Sequence, residues 1–278
     1  QRQMCIRDRV NNMKKLNDLY PGIGTDFVIR NIRCNPSEVE KDDLFVCTID
    51  SKLDRHNCIE EAIRNGASTI IVSKDIVDPR VAIIKVPDTN REFPYLCQKF
   101  YDFPDKKLKM IGVVGTDGKT STGSIIQSLL GISKTGFIGT MGRSCAAFND
   151  NRTTKNIDAA RLYDGLEEFV KFGCGYAVVE SSNSDIASLS LAALNYDVLV
   201  FTNLANEYLD DNEKFVEYFN TMSSLFGQLK EDGWCILNGD DPYFESVKSV
   251  CRGNIVTYGR RDDATLPVSY THLRAHET

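Results

Sequence analysis

Lys109-Met-Ile-Gly-Val-Val-Gly-Thr-Asp-Gly-Lys-Thr-Ser-Thr-Gly-Ser-Ile-Ile-Gln127 is a short apolar run, then a glycine-flanked turn, then a helix-like segment. That order is the layout of a phosphate-binding loop between a strand and a helix. Glycines at 115 and 118 let the backbone approach an anion closely, and the following helix opens with N–H groups that lack an intrahelical acceptor. Lys119 supplies positive charge for the outer phosphates, and the Thr120 hydroxyl is placed to hold Mg2+. The usual G-x-x-x-x-G-K-[ST] spacing is not met, because Val113 stands five residues before Gly118; the variant here is G-T-D-G-K-T. Gly115, Thr116, Asp117, Gly118, Lys119, Thr120 and Ser121 are the candidate nucleotide-binding residues. The bland alternative is an accidental turn between strand and helix, but strand, glycines, lysine and hydroxyls all agree.

Working outward, further apolar runs separated by helical stretches follow: Gly136-Phe-Ile-Gly, Tyr176-Ala-Val-Val-Glu, Asp197-Val-Leu-Val-Phe-Thr, Trp234-Cys-Ile-Leu-Asn and Asn254-Ile-Val-Thr-Tyr. Strands apolar on both faces and alternating with helices predict a mainly parallel, doubly covered sheet, in which ligands collect at the carboxyl ends of strands. Gly115, Glu180, Thr202-Asn203 and Asn238 each fall just past a predicted strand. Upstream, Phe27-Val-Ile-Arg-Asn-Ile-Arg, Asp43-Leu-Phe-Val-Cys-Thr-Ile, Ser68-Thr-Ile-Ile-Val and Val81-Ala-Ile-Ile-Lys-Val alternate with polar stretches, with helices expected over Cys58 to Asn65 and Phe93 to Tyr101. The fold class is α/β: a small N-terminal α/β domain over residues 13–106, then a P-loop sheet domain over 107–266, joined through Asp102-Phe-Pro-Asp-Lys-Lys.

Composition limits what this loop serves. The 278 residues, 42% hydrophobic and 26% charged, are ordinary globular material, and a formal charge of −6 without a Lys/Arg stripe argues against a nucleic-acid partner. Nine scattered cysteines without C-x-x-C read as reduced core thiols rather than a disulfide framework or zinc site. No apolar run approaches a membrane span, so a soluble, cytoplasmic, monomeric protein is expected. The two ends, 1–12 and 267–278, lack periodicity and read as a non-native leader and tail resembling adaptor sequence, with Met13 as the expected start. His56 then remains as the histidine within the fold, and it reads as structural.

Taken in order, Gly115-Thr-Asp-Gly-Lys-Thr-Ser, Gly136-Phe-Ile-Gly-Thr-Met-Gly, Arg152-Thr-Thr, Val179-Glu-Ser-Ser, Phe201-Thr-Asn-Leu, Leu237-Asn-Gly-Asp-Asp-Pro and Thr257-Tyr-Gly resemble the Mur ligases. The resemblance is to the MurE type, which adds the third amino acid to UDP-N-acetylmuramoyl-dipeptide. Asp43-Leu-Phe-Val, Asp54-Arg-His, Glu61-Ala and Gly66-Ala extend it through the first unit. What it implies is an ATP-dependent amide ligase of peptidoglycan precursor synthesis, whose partners are a UDP-sugar-peptide carboxylate and an amino acid. ATP phosphorylates the carboxylate, and an amine then attacks the acyl phosphate. By the same resemblance Lys119 and the loop amides hold the ATP phosphates, Thr120 and Glu180 hold Mg2+, Asn238 and Asp241 lie on the adenosine side, and Thr153, Thr154 and Ser182 face the muramoyl substrate. By the same resemblance the chain is expected to be a gene fragment without the family's C-terminal domain, and a fragment of this kind is expected to be inactive alone.

Bland readings stand beside these. Glu180 alternatively caps the next turn, although a buried charge without a cation is costly and the Mg2+ reading is preferred. Thr153-Thr154 equally well start a helix through Leu162 and Leu166, and Asn238-Gly-Asp-Asp-Pro on local chemistry is a turn. Phe215, Tyr218, Phe219 and Phe226 have helical spacing and read as core rather than binding surface. Departures from the family pattern cluster downstream: Tyr208 stands at a histidine that assists a second Mg2+, Met222 at the carbamylated lysine, Asn183 at the histidine of Ser-Ser-His, and Pro36 at a uridine-contacting serine. These departures open a second reading, a non-catalytic nucleotide-binding paralogue or a ligase with another substrate. A generic P-loop kinase or NTPase is the third.

Overall fold

The computed structural model describes residues 13–23, 27–151, 156–205 and 212–268. They fall into two compact units: the described residues up to Pro104 with Asp158–Asp164 and Ser188–Ala193, and those of Asp105–Ile157 with Gly165–Ala187 and from Leu194 onward.

In the first unit the short strands β1 (Lys14–Lys15) and β2 (Val28–Ile29) pair antiparallel around a single helical turn, α1 (Leu16–Leu19). A parallel sheet follows, in the order β3 (Ile32–Arg33), β4 (Asp43–Val46), β5 (Ala67–Val72) and β6 (Ala82–Lys85). The run from Phe27 to Arg33, expected as one strand, is thus divided between two sheets. Helix α2 (Ile59–Asn65) ends on Gly66, whose φ of +114° and Cβ approach of 2.7 Å to Lys41 Cα leave no room for a side chain. Helix α3 (Thr89–Phe100) starts four residues before the expected Phe93, because the Asp88 carboxylate caps Asn90 and Arg91 N–H while Thr89 Oγ1 donates to Cys47 O at 2.8 Å. His56 is structural here: Nδ1 meets Asp54 Oδ1 at 2.6 Å and Nε2 accepts Ser73 N–H at 3.0 Å. That bond occupies the Nε2 lone pair, so the Asp-His-Ser geometry is not an activated serine. Pro36 is buried at the head of a 3₁₀ turn, Pro36–Glu38.

The second unit is a nine-stranded sheet. Its order is β10 (Phe148–Asp150), β9 (Gly142–Cys145), β8 (Thr135–Gly139), β11 (Tyr176–Ser181), β7 (Lys109–Val114), β12 (Tyr196–Phe201), β13 (Leu229–Asn238), β14 (Asn254–Gly259) and β15 (Leu266–Pro267). All neighbours run parallel except β8–β9 and β9–β10. That antiparallel hairpin is absent from the sequence reading because Gly142-Arg-Ser-Cys carries no apolar alternation; the turn pairing of Gly139 with Gly142 builds it instead. Helices α4 (Lys119–Leu130), α5 (Ala159–Lys171), α6 (Asn183–Ala187), α7 (Asn212–Ser224) and α8 (Phe244–Val250) complete the chain. Asp158 caps α5 through Arg161 N–H, so the helix starts beyond Thr153 and Thr154, which lie outside the described residues. Val113, Ile111, Val178, Val200 and Phe137 form a buried apolar cluster, and Gly123 of α4 sits where a Cβ would be 2.5 Å from the Phe137 ring. Helix α4 therefore packs directly on the sheet, and the loop before it is held at the carboxyl edge. The central strand β7 is flanked by β11 on one side and β12 on the other, and successive connections leave it in opposite directions, which makes this edge a switch point.

Among the described residues no helix is long and apolar enough to cross a membrane, and the eight cysteines described are all free thiols.

Candidate nucleotide site

Four strand ends meet at this edge, and each contributes polar groups for a stated reason. After β7 the chain turns through Gly115 (φ +142°) and Gly118 (φ +77°) into α4. A Cβ on Gly115 would lie 2.2 Å from Thr202 Oγ1 and 2.7 Å from Asn203 O, so only glycine lets the loop close on the end of β12. Gly118 is the N-cap of α4, where no side chain caps the helix and no acid occupies the first turn. The helix N-terminus is thus left as a set of N–H donors with a positive dipole end, the arrangement that attracts phosphate. Lys119 Nζ rests 2.6 Å from Thr116 O within its own loop.

The loop is fastened from β12. Thr116 N–H donates to Asn203 O (2.9 Å), Asp117 N–H to Asn203 Oδ1 (3.0 Å), and Asp117 O accepts from Thr202 Oγ1 (2.7 Å) and Asn203 Nδ2 (3.1 Å). Thr116 Oγ1 in turn accepts Ala205 N–H at 3.1 Å and lies 3.1 Å from the Tyr218 hydroxyl. Tyr218 was expected in the core with Phe215, Phe219 and Phe226. Of the four only Phe226 is buried; the Phe215 ring lies 4.7 Å from that of Tyr243 at a tilt of 37°, and Tyr218 reaches the loop. A helical stripe of aromatics marks one face, and only the tertiary packing decides what that face meets.

Glu180, at the end of β11, is 5% exposed. Its Oε1 accepts from Thr120 Oγ1 at 3.0 Å and from Thr140 Oγ1 at 2.9 Å, and its Oε2 accepts Thr140 N–H at 2.9 Å. Gly139 makes this possible, since a Cβ there would sit 2.4 Å from Glu180 Oε2. All three donors are neutral, and among the described residues no ammonium or guanidinium pairs with the carboxylate. A buried carboxylate served only by neutral donors is a place for a cation. Two oxygens of an octahedral Mg2+ shell lie roughly 2.9 Å apart when each bond is about 2.05 Å, so Thr120 Oγ1 and Glu180 Oε1, 3.0 Å apart, fit a hard divalent cation as neighbouring ligands. Among the described residues no cluster of three His, Cys, Asp or Glu capable of holding a metal is found.

On the other side, Asn238 ends β13 and donates Nδ2–H to Thr202 O at 2.8 Å, while its Oδ1 takes Asp240 N–H at 3.0 Å. Asp241 accepts Leu204 N–H at 2.8 Å and Tyr243 N–H at 2.8 Å. Both residues shape the turn, as its local chemistry predicts, and tie it to the segment that fastens the loop. Ser182 is placed differently. Its hydroxyl hydrogen-bonds Asp185 and accepts Asp185 N–H at 3.2 Å, while its own N–H reaches Asp185 Oδ2 at 3.3 Å, which is a capping box at the start of α6. Burial pushes the Asp185 carboxyl above its ordinary value, against the pull of the Ser182 and Ile157 donors. Tyr208 lies outside the described residues, and Met222 is buried at 1% exposure. Gly139 and Thr140 lie in the quoted Gly136-Phe-Ile-Gly-Thr-Met-Gly run and Asn203 among the strand-end residues, but the sequence assigned none of the three a role of its own. The signal available for them was position alone, polar or glycine residues immediately after an apolar strand.

The Mur ligase middle domain matches residues 113–277 of this chain. The chain belongs to the Mur ligase family. UDP-N-acetylmuramoyl-L-alanyl-D-glutamate--2,6-diaminopimelate ligase of Lactiplantibacillus plantarum is 29% identical over 276 residues, covering 96% of this chain and 56% of that protein. The ligase of the same name from Clostridium perfringens is 34% identical over 227 residues, covering 79% and 45%. Among solved structures, a UDP-N-acetylmuramoyl-L-alanyl-D-glutamate--2,6-diaminopimelate ligase superposes with a TM-score of 0.73 at 21% identity, covering 91% of this chain and 54% of that one. A MurF ligase from Thermotoga maritima in complex with ADP superposes at 0.55 and 23% identity, covering 83% and 50%. At those identities the structural likeness establishes the Mur ligase fold. The chain spans about half the length of the curated relatives it matches.

Proposed function

We propose that the protein containing this chain is an ATP-dependent acid–amino-acid ligase that extends a UDP-muramoyl-peptide-like carboxylate in cytoplasmic peptidoglycan precursor synthesis. The observation that carries the reading is the 3.0 Å approach of Thr120 to buried Glu180 beside an uncapped helix N-terminus. Relatives named as diaminopimelate-adding ligases support the substrate class. The γ-phosphoryl group passes to the substrate carboxylate with ADP leaving. The amine attacks the acyl carbon, phosphate departs, and an amide remains.

In this reading the residues of the chain act by position and charge, which is most of what phosphoryl transfer asks of a protein. The amides from Gly118 to Ser121 point toward the phosphates. Lys119 exchanges the Thr116 carbonyl for a phosphate oxygen at little cost, because its ammonium is already desolvated on one side. Thr120 and Glu180 hold Mg2+, which supplies charge neutralisation for the phosphates. Asn238 and Asp241 border the adenosine end, Thr153 and Thr154 face the muramoyl side, and residues 13–106 serve as the UDP-substrate domain with 107–266 as the ATP domain. Ser182, committed to Asp185, contributes to substrate through the shape of the α6 start.

Calorimetry of the chain with Mg-ATP tests the first requirement, and absence of heat from folded protein would end the proposal. With the complete protein, ADP and phosphate should form only when carboxylate and amine are both present.

Met222 favours a second reading, a nucleotide-binding paralogue without turnover, because its buried thioether offers neither amine nor charge at the position of the family's lysine. Tyr208→His with Met222→Lys in the complete protein distinguishes the two. A rise in amide formation supports the ligase ancestry, and an unchanged zero supports the paralogue.

A further inference from the structure

We infer that Asn203 is a positioning residue for the phosphates, acting through the loop backbone rather than by touching nucleotide; the inference rests on the nucleotide-binding reading above. Its carboxamide engages both halves of one residue, accepting Asp117 N–H at 3.0 Å on Oδ1 and donating Nδ2–H to Asp117 O at 3.1 Å. A side-chain amide is the one short group that offers a donor and an acceptor side by side in the plane of a peptide. Its own carbonyl takes Thr116 N–H at 2.9 Å, so one residue fixes three backbone groups on two consecutive residues of the turn ahead of Gly118.

The consequence is directional. Thr116 and Asp117 N–H groups are spent on Asn203, which turns them away from any anion, and the Asp117 carbonyl is held by Asn203 and Thr202 rather than facing the phosphate space. A carbonyl oxygen left free to rotate toward a phosphate would repel it. The N–H groups that begin α4 are then the loop donors left pointing outward. Asp117 brings a carboxylate into a loop built for anions, and fixing its backbone sets the direction in which its Cα–Cβ bond leaves the turn. Closure at Gly115, where a Cβ would meet Thr202 and Asn203, shows that loop and strand end are fitted to each other.

Binding of AMP, ADP and ATP with Mg2+ to wild type, Asn203→Ala and Asn203→Asp tests this, with AMP followed by NMR titration and the others by calorimetry. Expected is a loss that grows with phosphate count: ATP weakened about tenfold in Asn203→Ala and further in Asn203→Asp, ADP less, AMP unchanged. The aspartate variant keeps the acceptor for Asp117 N–H but sets a charged oxygen against Asp117 O, hence the order. Equal loss for all three nucleotides, unaltered ATP affinity, or failure of both variants to fold would each overturn the inference. Wild-type protein that binds none of them instead overturns the nucleotide reading itself.

Discussion

Glu180 shows how one side chain is given two duties by its surroundings. Its carboxylate accepts from Thr120 Oγ1, Thr140 Oγ1 and Thr140 N–H. In the proposed Mg2+ reading, Thr120 and Glu180 would hold the cation as neighbouring oxygen ligands, and it would supply charge neutralisation for the phosphates. Glu180→Gln keeps the volume, and the two threonine hydroxyls can turn to accept from the new amide. Its unfolding free energy should lie within about 1 kcal/mol of wild type. Dependence of ATP affinity on Mg2+ should disappear, as measured by calorimetry with and without chelator. Retained Mg2+ dependence would remove Glu180 from the cation site.

At the level of elements, the turn from β7 into α4 uses its two glycines for different reasons. Gly115 needs both its positive φ and the missing Cβ, since β12 lies 2.2 Å from where that atom would be. Gly118 needs only its φ of +77°, with nothing within 4 Å of a built Cβ. Gly115→Ala should therefore destabilise the chain by roughly 3 kcal/mol, combining strain and clash, and Gly118→Ala by about 1 kcal/mol. Urea denaturation of both variants checks this, and equal losses would mean that β12 does not constrain the loop. Tyr218 adds a third element to the same turn. Tyr218→Phe removes its bond to Thr116 and should weaken ATP binding a few-fold, read by the same calorimetry, while unfolding stays within about 1 kcal/mol.

For the molecule as a whole, the amino edge of the large sheet is where stability is charged. Asp197 on β12 meets Lys109 of β7 at 2.9 Å, Lys230 of β13 at 2.7 Å and Met110 N–H at 2.9 Å, tying three adjacent strands. Burial alone would push its carboxyl up, but the Lys230 and Lys109 ammoniums with the Met110 donor outweigh that and hold it below the ordinary 3.8. A carboxyl depressed in the folded state contributes stability above 3.8 and loses it as pH falls through the lower folded value. Asp197→Asn should cost about 1 kcal/mol at pH 7, discounted because the Lys109 side chain is 67% exposed, and the gap to wild type should close below pH 3.8. Stability curves from guanidinium titrations between pH 7 and 3 that ran parallel for the two proteins would refute it. The opposite, carboxyl edge carries the loop, Glu180 and Asn238, so the ion pairs of Asp197 lie at the end of the sheet away from the proposed nucleotide site.

The sequence by itself determined the strand-loop-helix unit from Lys109 to Gln127, the parallel α/β class and the run of strand ends carrying Glu180, Thr202-Asn203 and Asn238. Period, glycine placement and apolar runs are local properties that a chain cannot hide. Only the tertiary structure decided which strand neighbours which, and hence that Glu180 and Asn203 approach the loop from opposite sides. It also assigned Ser182 to a helix cap, Tyr218 to the loop rather than the core, and Gly142-Arg-Ser-Cys to a hairpin. The approaches of Glu180, Asn203 and Tyr218 to the loop and to Thr140 join residues 40 to 102 positions apart, where spacing along the chain carries no information about distance in space. The Ser182 cap and the hairpin are instead short-range contacts without an apolar period to announce them.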